Sequence, residues 1–180
     1  MARVCVFCAS STQLDERWLK LGYTVGLALG RAGHDVISGG GRVGLMGTVA
    51  EGARAGGAAT VGVIPESLVD REIADTAADE LVVTDGMAAR KIVMIERSDT
   101  FLILPGGIGT LDELFEVWTT ATLGVHDKPV IMLDADGFYG GLLAWLGQLV
   151  ADGFISAKGL ATVHVVRTVD EALDAVQRFG

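Results

Sequence analysis

The sequence predicts one α/β domain, a parallel sheet covered by helices on both faces. Three observations lead there. Short apolar runs of strand length alternate with stretches of helical periodicity. Two glycine-rich loops each follow such a run. The chain has 180 residues, half of them hydrophobic, which favours a single domain with a sizeable core and no interdomain linker. Glycine is frequent (25) and proline scarce (3), so the composition is that of a folded rather than a disordered chain.

Arg3 to Cys8 reads as a first buried strand, followed by the small polar run Ala9-Ser10-Ser11-Thr12. Leu14, Trp18, Leu21, Val25 and Leu29 recur at helical spacing, and Gly33 is a plausible stop. Asp35 to Ser38 is a second strand. It enters Gly39-Gly40-Gly41-Arg42-Val43-Gly44-Leu45-Met46-Gly47, after which a helix is expected to about Arg54. Thr60 to Ile64 is a third strand, and the polar, acidic stretch 67–79 reads as a long surface connection. Leu81 to Thr84 is a fourth strand, and Gly86 to Ser98 a helix. Thr100 to Leu104 is a buried strand feeding Pro105-Gly106-Gly107-Ile108-Gly109-Thr110, with a helix to about Leu123. Strands at Pro129 to Leu133 and Val163 to Val166 and helices at Phe138 to Val150 and from Asp170 complete the pattern. In a parallel sheet both glycine loops lie at the carboxyl edge, where ligands bind.

The formal net charge of −9 disfavours binding nucleic acid or an acidic membrane through bulk charge. No apolar run approaches the ~20 residues of a membrane helix, and no leader pattern opens the chain, so a cytoplasmic location is expected. Cys5 and Cys8 form a C-x-x-C, but in a strand residues three apart face opposite ways. His34, His126 and His164 show no ligand spacing, and no metal site is expected.

The first loop matches G-x-G-x-x-G at Gly39, Gly41 and Gly44, with Glu66 near the spacing of a ribose-binding acid. For a dinucleotide fold it follows the wrong strand, the second, and no Lys-Ser or Lys-Thr follows to make a Walker loop. The second loop is more specific. Gly106, Gly107 and Gly109 can expose consecutive amides at a helix start, where the dipole favours an anion, and Thr110 adds a hydroxyl. Thr110-x-x-Glu113 equally reads as a capping box. Asp112, Glu113 and Glu116 crowd that helix with no base among them, which calls for a ligand or a cation from elsewhere. Arg90 and Lys91, on the first turn after the fourth strand, are the candidate cations.

Pro105-Gly106-Gly107-Ile108-Gly109-Thr110-Leu111-Asp112-Glu113 resembles the P-G-G-x-G-T-x-x-E signature of the LOG ("lonely guy") family. The similarity extends to Val4–Cys8, Ser38-Gly39-Gly40-Gly41, Gly44-Leu45-Met46-Gly47, Arg90-Lys91, Phe115–Trp118 and Leu123-Gly124. The resemblance implies a Rossmann-like, three-layer α/β/α homodimer. It would hydrolyse the N-glycosidic bond of a cytokinin riboside or adenosine 5′-monophosphate, with no metal or organic cofactor. It implies Arg90 and Glu113 as the catalytic pair. It also implies a nucleotide site of Ser38, Gly40, Met46, Lys91, Gly106, Gly107, Gly109, Thr110 and Glu116. Ala88 and Ala9 stand where the family often has His and Gly, which bears on substrate preference. A non-catalytic nucleotide or cofactor carrier, an NAD-dependent oxidoreductase and a lysine decarboxylase are the rival classes. The last needs a cofactor-bearing lysine, and Lys20, Lys91, Lys128 and Lys158 lie in no obvious cofactor loop.

Overall fold

The computed structural model describes residues 1–69 and 73–180. Seven strands form one sheet: β1 (Arg3–Phe7), β2 (Asp35–Ser38), β3 (Thr60–Pro65), β4 (Glu80–Thr84), β5 (Thr100–Ile103), β6 (Val130–Leu133) and β7 (Val163–Val166). Their spatial order is β4-β3-β2-β1-β5-β6-β7, and all neighbours pair in parallel. The helices are α1 (Glu16–Arg31), α2 (Gly44–Ala55), α3 (Met87–Arg97), α4 (Ile108–Thr122), α5 (Gly140–Ala151), α6 (Ala157–Leu160) and α7 (Val169–Phe179).

Strand alternation divides the core into two layers. Val4 and Val6 of β1, Val36 of β2, and Leu102 and Leu104 on or just past β5 pack with Val25 and Leu29 of α1, Val49 of α2 and Val176 of α7. Cys5, Phe7, Ile37, Phe101 and Ile103 face the other way, onto Met94 of α3, Leu114 and Val117 of α4 and Leu146 of α5. The expected three-layer, doubly wound domain is therefore the one observed. Cys5 belongs to one layer and Cys8 packs against the other, and both are free thiols. Burial pushes both thiols' pKa values up, which disfavours the reactive thiolate.

Helices α1 and α2 touch backbone to backbone. Gly22, Gly26 and Gly30 recur every fourth residue on α1 and meet α2. A Cβ at Gly26 would overlap the Val49 carbonyl oxygen, and one at Gly30 would lie 2.5 Å from that of Ala53. Gly52 returns the relation, since a Cβ there would overlap the Tyr23 carbonyl oxygen.

Three sequence readings need correction. Helix α2 starts at Gly44, inside the first glycine loop, because Gly44 takes a φ of +61° and turns the chain into the helix early. The connection at 67–79, part of which lies outside the described residues, is not simply a surface loop. Asp75 is buried, donates its N–H to the Gly40 carbonyl (2.8 Å) and accepts from Arg54 Nη1 (2.8 Å). Arg42 N–H donates to Ile73 O (3.1 Å), so this segment supplies partners that the irregular first loop cannot find within itself. The short helix α6 lacks the length for a periodic signal, and the sequence reading passed over it.

The glycine contacts give a paired test by urea unfolding. Gly26→Ala should lose about 1–3 kcal/mol through forced separation of α1 and α2. Gly147→Ala, in mid-α5 where a Cβ meets no atom within 4 Å, should gain about 0.5–1 kcal/mol.

Candidate active site

The connections reverse direction between β1 and β5: the chain winds outward from β1 through β4, then from β5 through β7. Such a reversal opens a crevice beyond the carboxyl ends of the two strands. A cavity of about 370 Å³ lies there. Its lining combines the β1–α1 loop (Cys8, Ala9, Ser10, Ser11) and the first glycine loop with α2 (Gly39, Met46). Val6 of β1, Leu68, then Met87 and Arg90 of α3, and Gly107, Gly109, Thr110 and Glu113 of the second loop and α4 complete it.

Arg90 is only 6% exposed. Its Nε donates to Val63 O and its Nη2 to Gly39 O, both at 3.0 Å, which fastens the guanidinium to the ends of β3 and β2. Gly39 is required for this seat: a Cβ there would overlap Arg90 Nη2. Glu113, 9% exposed, enters the same cavity from the second turn of α4. Both charges are felt at the Cys8 thiol, Glu113 raising its pKa and Arg90 lowering it, after the larger effect of burial.

The N-cap of α4 is Gly107, which makes Thr110 the third residue of the helix and puts Glu113 a full turn beyond it. The capping-box reading is thereby overturned. Gly107, with no side chain, sets the helix start, and no side chain caps it. Cβ atoms at Gly107 or Gly109 would project into open space, whereas one at Gly106 would overlap the Thr110 side chain. The first turns of α2 and α3, which also border the cavity, likewise lack a side-chain cap. Helix α7 starts at the same sheet edge, away from the cavity, and has a complete capping box of Thr168 and Glu171.

Of the residues singled out in the sequence, Arg90, Glu113, Met46, Gly107, Gly109 and Thr110 meet in the cavity. Ser38, Gly40, Gly106, Lys91 and Glu116 are not part of its lining. Ser38 Oγ accepts from Gly40 N (3.3 Å), and Gly40, at a φ of +75°, packs against β3, so these two shape the first loop. Lys91 Nζ lies 3.0 Å from Asp112 Oδ2 and 2.6 Å from Glu116 Oε2. It is the cation that the acidic face of α4 called for, and Glu116 and then Asp112 raise its pKa. Glu66 is exposed in a short 3-10 turn outside the cavity, which removes the ribose acid of the NAD reading. Ala9, singled out for its bearing on substrate preference, also lines the cavity, whereas sequence reasoning missed Val6, Cys8, Ser10, Ser11, Leu68 and Met87. Cys8, Ser10 and Ser11 were within reach, because the loop after β1 emerges at the same edge as both glycine loops.

A parallel α/β sheet with an uncapped glycine cradle, a buried carboxylate and a buried guanidinium at its switch point defines a nucleotide- or sugar-phosphate-binding class. Comparison with known proteins narrows this. The family model described as "Possible lysine decarboxylase" matches residues 46–176. The cytokinin riboside 5′-monophosphate phosphoribohydrolase of Mycobacterium tuberculosis is 51% identical over 96% of this chain and 91% of its own. LOG4 of Arabidopsis thaliana, of the same name, is 38% identical over 99% and 83%. The chain belongs to this LOG-type family. Among solved structures, the molybdenum cofactor binding protein of Rippkaea orientalis superposes with a TM-score of 0.75 at 23% identity. It covers 98% of this chain and 95% of its own, a likeness of fold alone. The family's descriptive name does not fit the cavity: none of Lys20, Lys91, Lys128 and Lys158 lines it to hold a pyridoxal cofactor.

The Lys91 bridge joins α3 to α4. Lys91→Met should lower the thermal midpoint by about 2–4 °C at low salt, on the order of 1 kcal/mol or less. Most of that difference should vanish in 0.5 M NaCl in a thermal melt, because Asp112 is more than half exposed.

Proposed function

We propose that this protein hydrolyses the N-glycosidic bond of a nucleoside 5′-monophosphate of the cytokinin riboside or adenosine type, releasing the base and ribose 5-phosphate. One observation carries the reading: Glu113 and Arg90 share a single cavity with Gly107, Gly109 and Thr110. The names of relatives at 51% and 38% identity supply the substrate class.

The 5′-phosphate sits on the uncapped start of α4, where the helix dipole and the glycine amides favour an anion. The apolar side chains of Met46, Leu68 and Met87 offer the base a surface. As the bond from C1′ to the base nitrogen breaks, its electron pair leaves with the base and positive charge builds on the ribose. Glu113 stabilises that charge and takes a proton from the water whose oxygen bonds to C1′; the departing base gains a proton in turn. Arg90 provides a fixed positive charge on the cavity wall that favours both the phosphate and an ionised Glu113. Binding energy from the phosphate is thus available at the reacting bond. Lys91 and Glu116 contribute by fixing α3 against α4, and Ser38, Gly40 and Gly106 by shaping the loops.

A carrier without catalysis is the alternative. A buried carboxylate beside a phosphate cradle repels the ligand's charge and brings a carrier no benefit, while it lowers the barrier for a hydrolase. We further propose a homodimer in the cytoplasm. Ile108 (88% exposed) and Leu123 (74%) at the two ends of α4, with exposed Ile92 on α3, are apolar surface suited to a second copy. The free thiols Cys5 and Cys8 suit a reducing compartment.

Glu113→Gln should keep the fold and lose about 10²–10⁴-fold in turnover, read as base released from AMP and N6-modified AMP. Native-rate release by the variant would remove Glu113 from the mechanism, and no release by the parent protein would favour the carrier. Light scattering at low concentration should give twice the chain mass; particles of 18.8 kDa alone would refute the dimer.

A further inference from the structure

We propose that Tyr139 is the positioning residue that holds the second glycine loop in its anion-binding shape. The inference rests on the reading of Gly107 and Gly109 as the phosphate cradle. A cradle works only if its amides are fixed before the ligand arrives. This loop has little means of fixing itself: it runs through two consecutive glycines, and no side chain caps the helix that follows.

Its support comes from a distant part of the chain. The Tyr139 hydroxyl donates to the Leu104 carbonyl at 2.7 Å, from 35 residues away. Leu104 lies one residue beyond β5, completely buried, and among the described residues the phenol is the side chain that gives this carbonyl a hydrogen bond at the turn into the cradle. Burial raises the phenol's pKa and keeps it a protonated donor.

Tyr139 is itself held on every side. It is 3% exposed. Its N–H donates to Asp134 Oδ1 at 2.6 Å, and the Asp134 N–H donates to Val166 O of β7 at 2.8 Å. The Phe138 ring stands edge-on to it at 4.8 Å and edge-on to Trp18 of α1 at 5.5 Å. The clamp therefore ties the cradle to β7 on one side and α1 on the other. In that setting the phenol does more than satisfy one carbonyl; it sets where the Gly107 and Gly109 amides point.

Tyr139→Phe removes the hydroxyl and keeps the ring. The Kd for ribose 5-phosphate, measured by calorimetry without turnover, should rise about ten-fold, the scale of one lost buried hydrogen bond. The KM for AMP should rise by a similar factor with kcat within about two-fold, and adenine binding should not change. A lower thermal midpoint with unaltered ribose 5-phosphate affinity would reduce Tyr139 to a structural role and overturn the proposal. Because the binding arm needs no catalysis, a shifted affinity in a protein that never releases base would uphold the clamp and reject the hydrolase. Should Tyr139→Phe not fold, Asp134→Ala cuts the backbone tether and keeps the phenol. It should show the same split at smaller size, and unaltered ribose 5-phosphate affinity there would also overturn the proposal.

Discussion

All seven strands run in one direction, and from this constraint the site follows. Parallel strands send every following loop to the same edge, and the reversal between β1 and β5 keeps the loops at that point from closing over one another. Two glycine loops, the β1–α1 loop and the first turns of α2, α3 and α4 converge there because topology leaves them nowhere else to go. The buried guanidinium of Arg90 fastens α3 to the β2 and β3 side of this edge. It donates to the carbonyls of Val63 and Gly39, so its position is set by the ends of β3 and β2 and not by its own helix alone.

Much of this was legible in the sequence, for reasons that differ from residue to residue. Strands such as Asp35–Ser38 and Val163–Val166 were read with their observed bounds, since apolar runs between glycine and polar breaks carry a strong local signal. The partnership of Lys91 with Asp112 and Glu116 was half visible: three acids on one helix demanded a cation, but only the packing of α3 against α4 identifies which. Glu113 could not be assigned from spacing, because Thr110-x-x-Glu113 satisfies a capping box and a binding loop equally well. Where the helix begins decides between them, and that is fixed by Gly107, which carries no side chain to advertise it. Tyr139 left no trace, because its role lies in a contact with a carbonyl 35 residues away.

The glycines divide into two kinds of work that composition cannot separate. On α1 and α2 they are a packing device, allowing two helices to approach until backbone meets backbone. Around the cavity they are a clearance device: Gly39 makes room for Arg90, and Gly106 for Thr110. The stripe on α1 and the loop before α2 are coupled. The same close approach that joins the two helices brings Gly44 against Ser10 and Ser11, so the β1–α1 loop and the first glycine loop form one wall.

The missing caps on α2, α3 and α4 carry a cost that the rest of the molecule covers. A side-chain cap stabilises a helix by about 1 kcal/mol, and the chain uses one at Thr168, where no ligand is at stake. At Gly107 a serine or aspartate would make a sturdier protein, and its oxygen would occupy the very amides that, on the proposed function, hold the phosphate. The site is thus a place where the fold forgoes stability, and a chain selected only for heat resistance would tend to close it.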